Sequence, residues 1–161
     1  MQAILQYCTG GRPRQVSAGD AIIKEGHRTG RLYVLIEGRV DVVKGDTVVA
    51  SIAEPGAIFG EMAVLLAQDH TATVKAASDA EIYEIEDAAS FLRAQPEVAL
   101  LLAQLLARRL HVATTYLADL KRQYAGQGNH LAMVGDLLQS MINLAPANVS
   151  PGSDLLGDPR M

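Results

Sequence analysis

The sequence predicts a mainly β fold, a small antiparallel sandwich or barrel followed by one long helix. Three observations carry this. Short β-rich runs separated by glycines fill the chain as far as Ile85. From Pro96 onward the pattern turns helical, and no further Gly or Pro appears until Gly126. The 161 residues are 49% hydrophobic and 20% charged, which suits a globular chain with one core.

The first eleven residues lack a basic region and a long apolar stretch, so they do not read as a secretory signal. Cys8, the only cysteine, excludes an internal disulfide framework and fits a reducing compartment; it reads as an inert small thiol near a mobile N-terminus. Strands are expected at 21–23, 32–37, 40–44, 47–52, 72–76 and 82–85, with Gly26, Gly30, Gly38, Gly45 and Gly56 between or beside them. Residues 39–49 read as a hairpin whose two-residue turn is Gly45-Asp46. Glu84 and Glu86 alternate along a strand as solvated charges would.

Pro96 suits a first helical position and Glu97 complements the helix dipole, so one helix is expected over 96–125. Leu106, Leu110, Ala113, Leu117, Leu120 and Tyr124 recur at 4-3 spacing, an apolar seam suited to a second copy of the chain or to the chain's own β domain. The first domain is therefore placed at 1–125. After it, Asn129 can cap a short amphipathic helix carrying Leu131, Val134, Leu138, Met141 and Ile142. Residues 146–161 hold three prolines and two glycines and are expected to be disordered.

Net charge is −4, which argues against a nucleic-acid binder that uses its whole surface. Only 36 residues follow Ala125 and Arg160 is the only Lys or Arg after Arg122, so a separate DNA-reading domain is not expected. The most apolar run, 98–107, is ten residues long and interrupted by Gln104, well short of a membrane span. A cytoplasmic location follows as the expectation. His27, His111 and His130 share no metal-ligand spacing, and no nucleophile triad emerges, so neither a metal nor an enzyme is expected.

The stretch from Pro55 to Val74, PGAIFGEMAVLLAQDHTATV, carries the chemistry. Gly60 allows close backbone approach to a ligand, and the N–H groups of Glu61, Met62 and Ala63 open a helical turn that suits a phosphate. Glu61 offers a carboxylate to a sugar hydroxyl, and Thr71 and Thr73 add hydroxyls at the start of the next strand. An ordinary strand–helix–strand connection with a dipole-matched Glu61 would show the same local pattern.

The whole string is more specific. It resembles the phosphate-binding cassette of cyclic nucleotide-binding domains, Phe-Gly-Glu-(Leu/Met)-Ala followed after a gap by Arg-(Ser/Thr)-Ala-(Ser/Thr). GDAIIKEG at 19–26 and LYVLIEG at 32–38 are two further signatures of that family, and ARRLHVATT at 107–115 resembles the dimerisation helix of its catabolite-activator-type members. The resemblance spans roughly 16–124 and implies a jelly-roll-like β-roll with flanking helices that holds cAMP or cGMP, with no other cofactor. It implies Gly60, Glu61, Met62 and Ala63 along the ribose-phosphate, with Glu61 on the 2′-hydroxyl. Thr71 and Thr73 would sit near the cyclic phosphate, Thr71 also near the base. Thr114, with Thr115 beside it, either offers a hydroxyl to adenine or is a solvated helix hydroxyl. His70 stands where the family pattern has arginine; the outcome is a weakened or altered nucleotide site, or a fold that has lost its ligand.

The expected function is a stand-alone, dimeric cyclic nucleotide sensor that signals through its long helix to a protein partner. The alternatives are a ligand-free interaction module of the same fold and a transcription factor whose last segment touches DNA.

Overall fold

A computed structural model describes residues 2–125 and residue 134. Apart from Val134, the expected amphipathic segment at 129–143 and the tail at 146–161 lie outside the described residues. The chain divides into two compact units, 1–103 and 104–161.

The first unit opens with a 3-10 helix, Gln2–Gly10, followed by β1 (Arg12–Val16), β2 (Ala21–Ile23), β3 (Leu32–Glu37), β4 (Val40–Lys44), β5 (Thr47–Ile52) and β6 (Ile58–Phe59). A short helix α1 (Glu61–Leu65) leads to β7 (Thr73–Ala76), β8 (Ala80–Ile85) and α2 (Ala88–Ala94). The long helix α3 (Pro96–Gln123) continues into the second unit. Two antiparallel four-stranded sheets run in the orders β1-β8-β3-β6 and β2-β7-β4-β5. The fold is thus mainly β with flanking helices, the β-roll expected.

Alternation along the strands sets the core. Tyr33 and Leu35 of β3 join Val40, Phe59, Val74, Ala76 and Ile82 in one buried cluster, where the Tyr33 and Phe59 rings stack with centroids 5.7 Å apart. Each large side chain buried there stabilises the fold by about 1.5–3 kcal/mol. The intervening Leu32 and Val34 are also fully buried, so the opposite face of β3 needs a cover. Ile4, Cys8, Ala88, Leu92, Val98 and Leu102, all on helices, are the buried residues available to provide it.

The β4–β5 hairpin has Lys44 opposite Thr47 across Gly45-Asp46, as its sequence predicts. At Gly38, φ is +94°, and a Cβ there would strike Asp79 O and lie 2.6 Å from Ala80 Cα. Only glycine fits that crossing between β3 and β4.

Two expectations are corrected. Cys8 is not near a mobile end: it is fully buried in the first helix, and its thiol donates to Ile4 O at 3.4 Å. Glu84 is not a solvated charge. Its side chain is 12% exposed and bridges Arg14 Nη1 at 3.1 Å and Arg31 Nη1 at 2.7 Å. That pair of contacts ties β1 and the residue preceding β3 to β8, in register with the pairing of Arg12 and Tyr33 opposite Glu84.

Candidate functional site

Gly60 ends β6 by entering the left-handed region at φ +85°. A Cβ built on it would lie 3.0 Å from Arg31 O, 3.2 Å from Tyr33 Cδ2 and 3.3 Å from Ile23 Cδ1, so both conformation and space reserve the position for glycine. The turn starts α1. Val64 N–H donates to Gly60 O at 3.4 Å, so the amides of Glu61, Met62 and Ala63 precede the first intrahelical bond. Glu61 and Ala63 are buried while Met62 is half exposed.

The chain then returns along the loop between β2 and β3. Gly26 N–H donates to His70 O at 2.8 Å, and His70 N–H donates to His27 O at 2.9 Å. Arg28 Nε donates to Asp69 Oδ1 at 3.0 Å, and Glu25 N–H donates to Thr73 Oγ1 at 3.0 Å. His70 is 6% exposed, with its ring Nε2 lying 2.9 Å from Thr29 Oγ1.

Burial pushes the His70 ring below the usual histidine pKa. Asp69 and Glu61 pull it back up, and His27 pushes it further down. The neutral ring therefore predominates near neutral pH. Glu61 and His70, nine positions apart in sequence, form the buried polar heart of the cassette.

The remaining expected residues are placed as follows. Thr71 is exposed beside His70, and the half-buried Thr73 has its hydroxyl oxygen engaged by Glu25 N–H while its proton is free to be donated. Thr114 belongs to the second unit, where its hydroxyl donates to Leu110 O at 2.7 Å; Thr115 donates likewise to His111 O at 2.9 Å. Along the seam, Leu106, Leu117 and Leu120 are partly buried, whereas Leu110, Ala113 and Tyr124 are exposed. Two open clefts among the described residues lie elsewhere, one beside Glu37 and Asp79 and one beside Arg14 and Lys24.

Sequence reasoning passed over Thr29, which touches the ring of His70 from 41 positions away. No local pattern marks such a residue; only the pairing of the two loops reveals it.

The stretch from Gly60 to His70 thus carries a glycine turn, a buried carboxylate and a buried imidazole ring on a β-roll. Residues 13–94 match the family described as the cyclic nucleotide-binding domain, and the chain belongs to that family. Over 72 residues it is 33% identical to cGMP-dependent protein kinase 2 of Mus musculus, covering 45% of this chain and 9% of the kinase. Over 83 residues it is 34% identical to a cyclic nucleotide-gated potassium channel of Rhizobium etli, covering 52% of this chain and 23% of the channel. The chain thus spans less than a quarter of these curated relatives. Among solved structures it is similar to the catabolite activator protein of Thermus thermophilus, with TM-score 0.63 and 25% identity over 86% of this chain and 80% of that one. The cAMP-bound PfPKA-R structure gives TM-score 0.54 and 26% identity over 68% of this chain and 36% of that one.

Among the described residues, no helix is long and apolar enough to cross a membrane.

Proposed function

We propose that this chain is a non-catalytic regulatory module that binds cAMP or cGMP within its β-roll. What supports this is that Glu61 and His70, the buried polar side chains among the described residues, stand with the Gly60 turn at the positions where the family's cassette meets ribose and phosphate. Glu61 accepts from the ribose 2′-hydroxyl. The first amides of α1, Met62 and Ala63 among them, line the ribose-phosphate beside Gly60. His70 supplies the side-chain donor in place of arginine, with Thr71 and Thr73 bordering the phosphate.

The signal leaves through α3. The seam from Leu106 to Tyr124 joins two copies, and the output is contact with a protein partner in the cytoplasm rather than with DNA. The relatives' printed descriptions support the ligand class, since they include a cGMP-dependent kinase, a cyclic nucleotide-gated channel and a cAMP-bound regulatory chain.

Calorimetric titration of the full chain with cAMP and with cGMP tests this directly. Saturable binding of either, weakened in Glu61→Ala, is the expected result. Absence of heat and of thermal stabilisation with both ligands would overturn it and leave a ligand-free interaction module.

A further inference from the structure

Where the family's pattern carries an arginine, this chain places a ring that is neutral near neutral pH. A neutral imidazole has one donor and one acceptor nitrogen, and only the donor can serve a phosphate oxygen. The tautomer therefore decides whether His70 helps an anionic ligand or repels it. In a free imidazole that choice is weakly biased. In this fold it is made by the loop between β2 and β3.

Two backbone hydrogen bonds, Gly26 N–H to His70 O and His70 N–H to His27 O, hold residue 70 against that loop. The Arg28–Asp69 ion pair adds a third tie. Together they bring Thr29 Oγ1 to 2.9 Å from His70 Nε2. The hydroxyl is itself held, because Arg31 N–H donates to Thr29 Oγ1 at 3.3 Å. Arg31 is fixed in turn by its side chain on Glu84, 2.7 Å away, and by its carbonyl packed against the Gly60 turn.

The amide of Arg31 occupies one lone pair of the hydroxyl and polarises it toward donation. The imidazole nitrogen is far more basic than an alcohol oxygen, so the strongest arrangement has Thr29 O–H donating to Nε2. The ring proton then resides on Nδ1. We propose that Thr29 is a positioning residue that locks neutral His70 as its Nδ1–H tautomer, giving the cassette a fixed donor for an anionic ligand without a fixed charge. This rests on the nucleotide-binding function proposed above for its ligand, but the tautomer itself is a property of the free protein.

The test is long-range proton–nitrogen correlation NMR on the full chain labelled with 15N-histidine, near neutral pH. His70→Gln identifies the signal by removing it. The wild type should show the protonated nitrogen at Nδ1 for His70. Thr29→Val, which keeps the shape but lacks the hydroxyl, should shift the ring toward the Nε2–H form, and Thr29→Ser should restore Nδ1–H. In titrations with cAMP, Thr29→Val should bind roughly 3- to 10-fold more weakly, with recovery in Thr29→Ser. A wild-type ring protonated at Nε2, or an unchanged spectrum in Thr29→Val, would overturn the role of Thr29 even if nucleotide binds. An Nδ1–H ring that responds to Thr29→Val in a protein that binds no nucleotide would leave Thr29 in its role and remove the nucleotide as ligand.

Discussion

Acidification should tighten cyclic nucleotide binding, and arginine at position 70 should abolish that dependence. The ring of His70 is faced by Asp69 and Glu61, which favour its charged form, and by His27 and its own burial, which disfavour it. Arg28 acts on the same locus indirectly, by pairing with Asp69. Burial dominates, so the free protein holds His70 below the usual histidine pKa. A phosphodiester beside the ring favours the charged form, and the pKa rises on binding. The extra affinity is therefore complete below the free-state pKa and is lost as pH rises through the bound-state pKa.

The size follows from what changes at the ring. A neutral hydrogen bond is worth about 0.5–1.5 kcal/mol and a charge-assisted one about 1.5–3 kcal/mol. Protonation thus adds about 1–1.5 kcal/mol, or roughly 5- to 10-fold in affinity. Titrations of cAMP between about pH 5.5 and 8, repeated in buffers of different ionisation enthalpy, should give tighter binding at the acid end together with net proton uptake. His70→Arg should bind at least as tightly as the acid form and show a flat profile. A pH-independent affinity without proton uptake, or an arginine variant no tighter than wild type at the alkaline end, would refute the placement of His70 on the phosphate.

Four further outcomes are expected. Glu61→Ala should weaken binding by about 1–3 kcal/mol, and a 2′-deoxy ligand should lose little more on the variant; additive losses would mean that Glu61 does not touch that hydroxyl. Charged residues at Leu110 and Leu117 together should convert dimers to monomers by sedimentation, and a wild type that is monomeric at high concentration would remove the seam from the dimer. Gly38→Ala should cost about 2–4 kcal/mol in denaturant unfolding, through its positive φ and the clash with the backbone of Asp79 and Ala80. Burial pushes the Cys8 thiol up to about 11, so it should resist alkylation at neutral pH in the native state and react at once when unfolded.

Strands with apolar alternation and glycine boundaries were legible from sequence. Leu32–Glu37, Val40–Lys44 and Thr47–Ile52 fall where the pattern places them, and the helix from Pro96 ends two residues before its expected limit. What escaped lacks such a pattern. Residues Arg12–Val16 are exposed but for the last, and their strand exists because β8 offers a backbone ladder to an edge that tolerates Pro13. The strand Ile58–Phe59 is too short to show a period. The helix Ala88–Ala94 is seven residues long and is started by Asp87, whose carboxylate accepts from Ser90 N–H at 3.0 Å. The cassette could be read because Gly60 through Thr73 is contiguous. Thr29 and the Arg31–Glu84–Arg14 cluster could not, since each joins residues brought together only by folding.

That division bears on how a histidine can stand in an arginine's place. An arginine carries its charge and its donor fork in one side chain, so its contribution depends little on the neighbouring loop. A neutral histidine contributes only if its proton sits on the correct nitrogen and its ring is aimed. In the arrangement proposed above, both conditions would be met from outside the cassette. Thr29 engages Nε2, Arg31 N–H orients Thr29, and Glu84, held between two guanidiniums at 12% exposure, anchors Arg31. In the proposed site the determinants of the phosphate side would thereby be spread over the β2–β3 loop and strand β8. The proposed ribose side would stay within the Gly60–Glu61 turn. Mutations near Glu84 should consequently act on ligand affinity through the loop, whereas mutations in the turn act on it directly, and the two sets should couple, because Arg31 O lies against the Gly60 turn and Glu61 acts on the His70 ring.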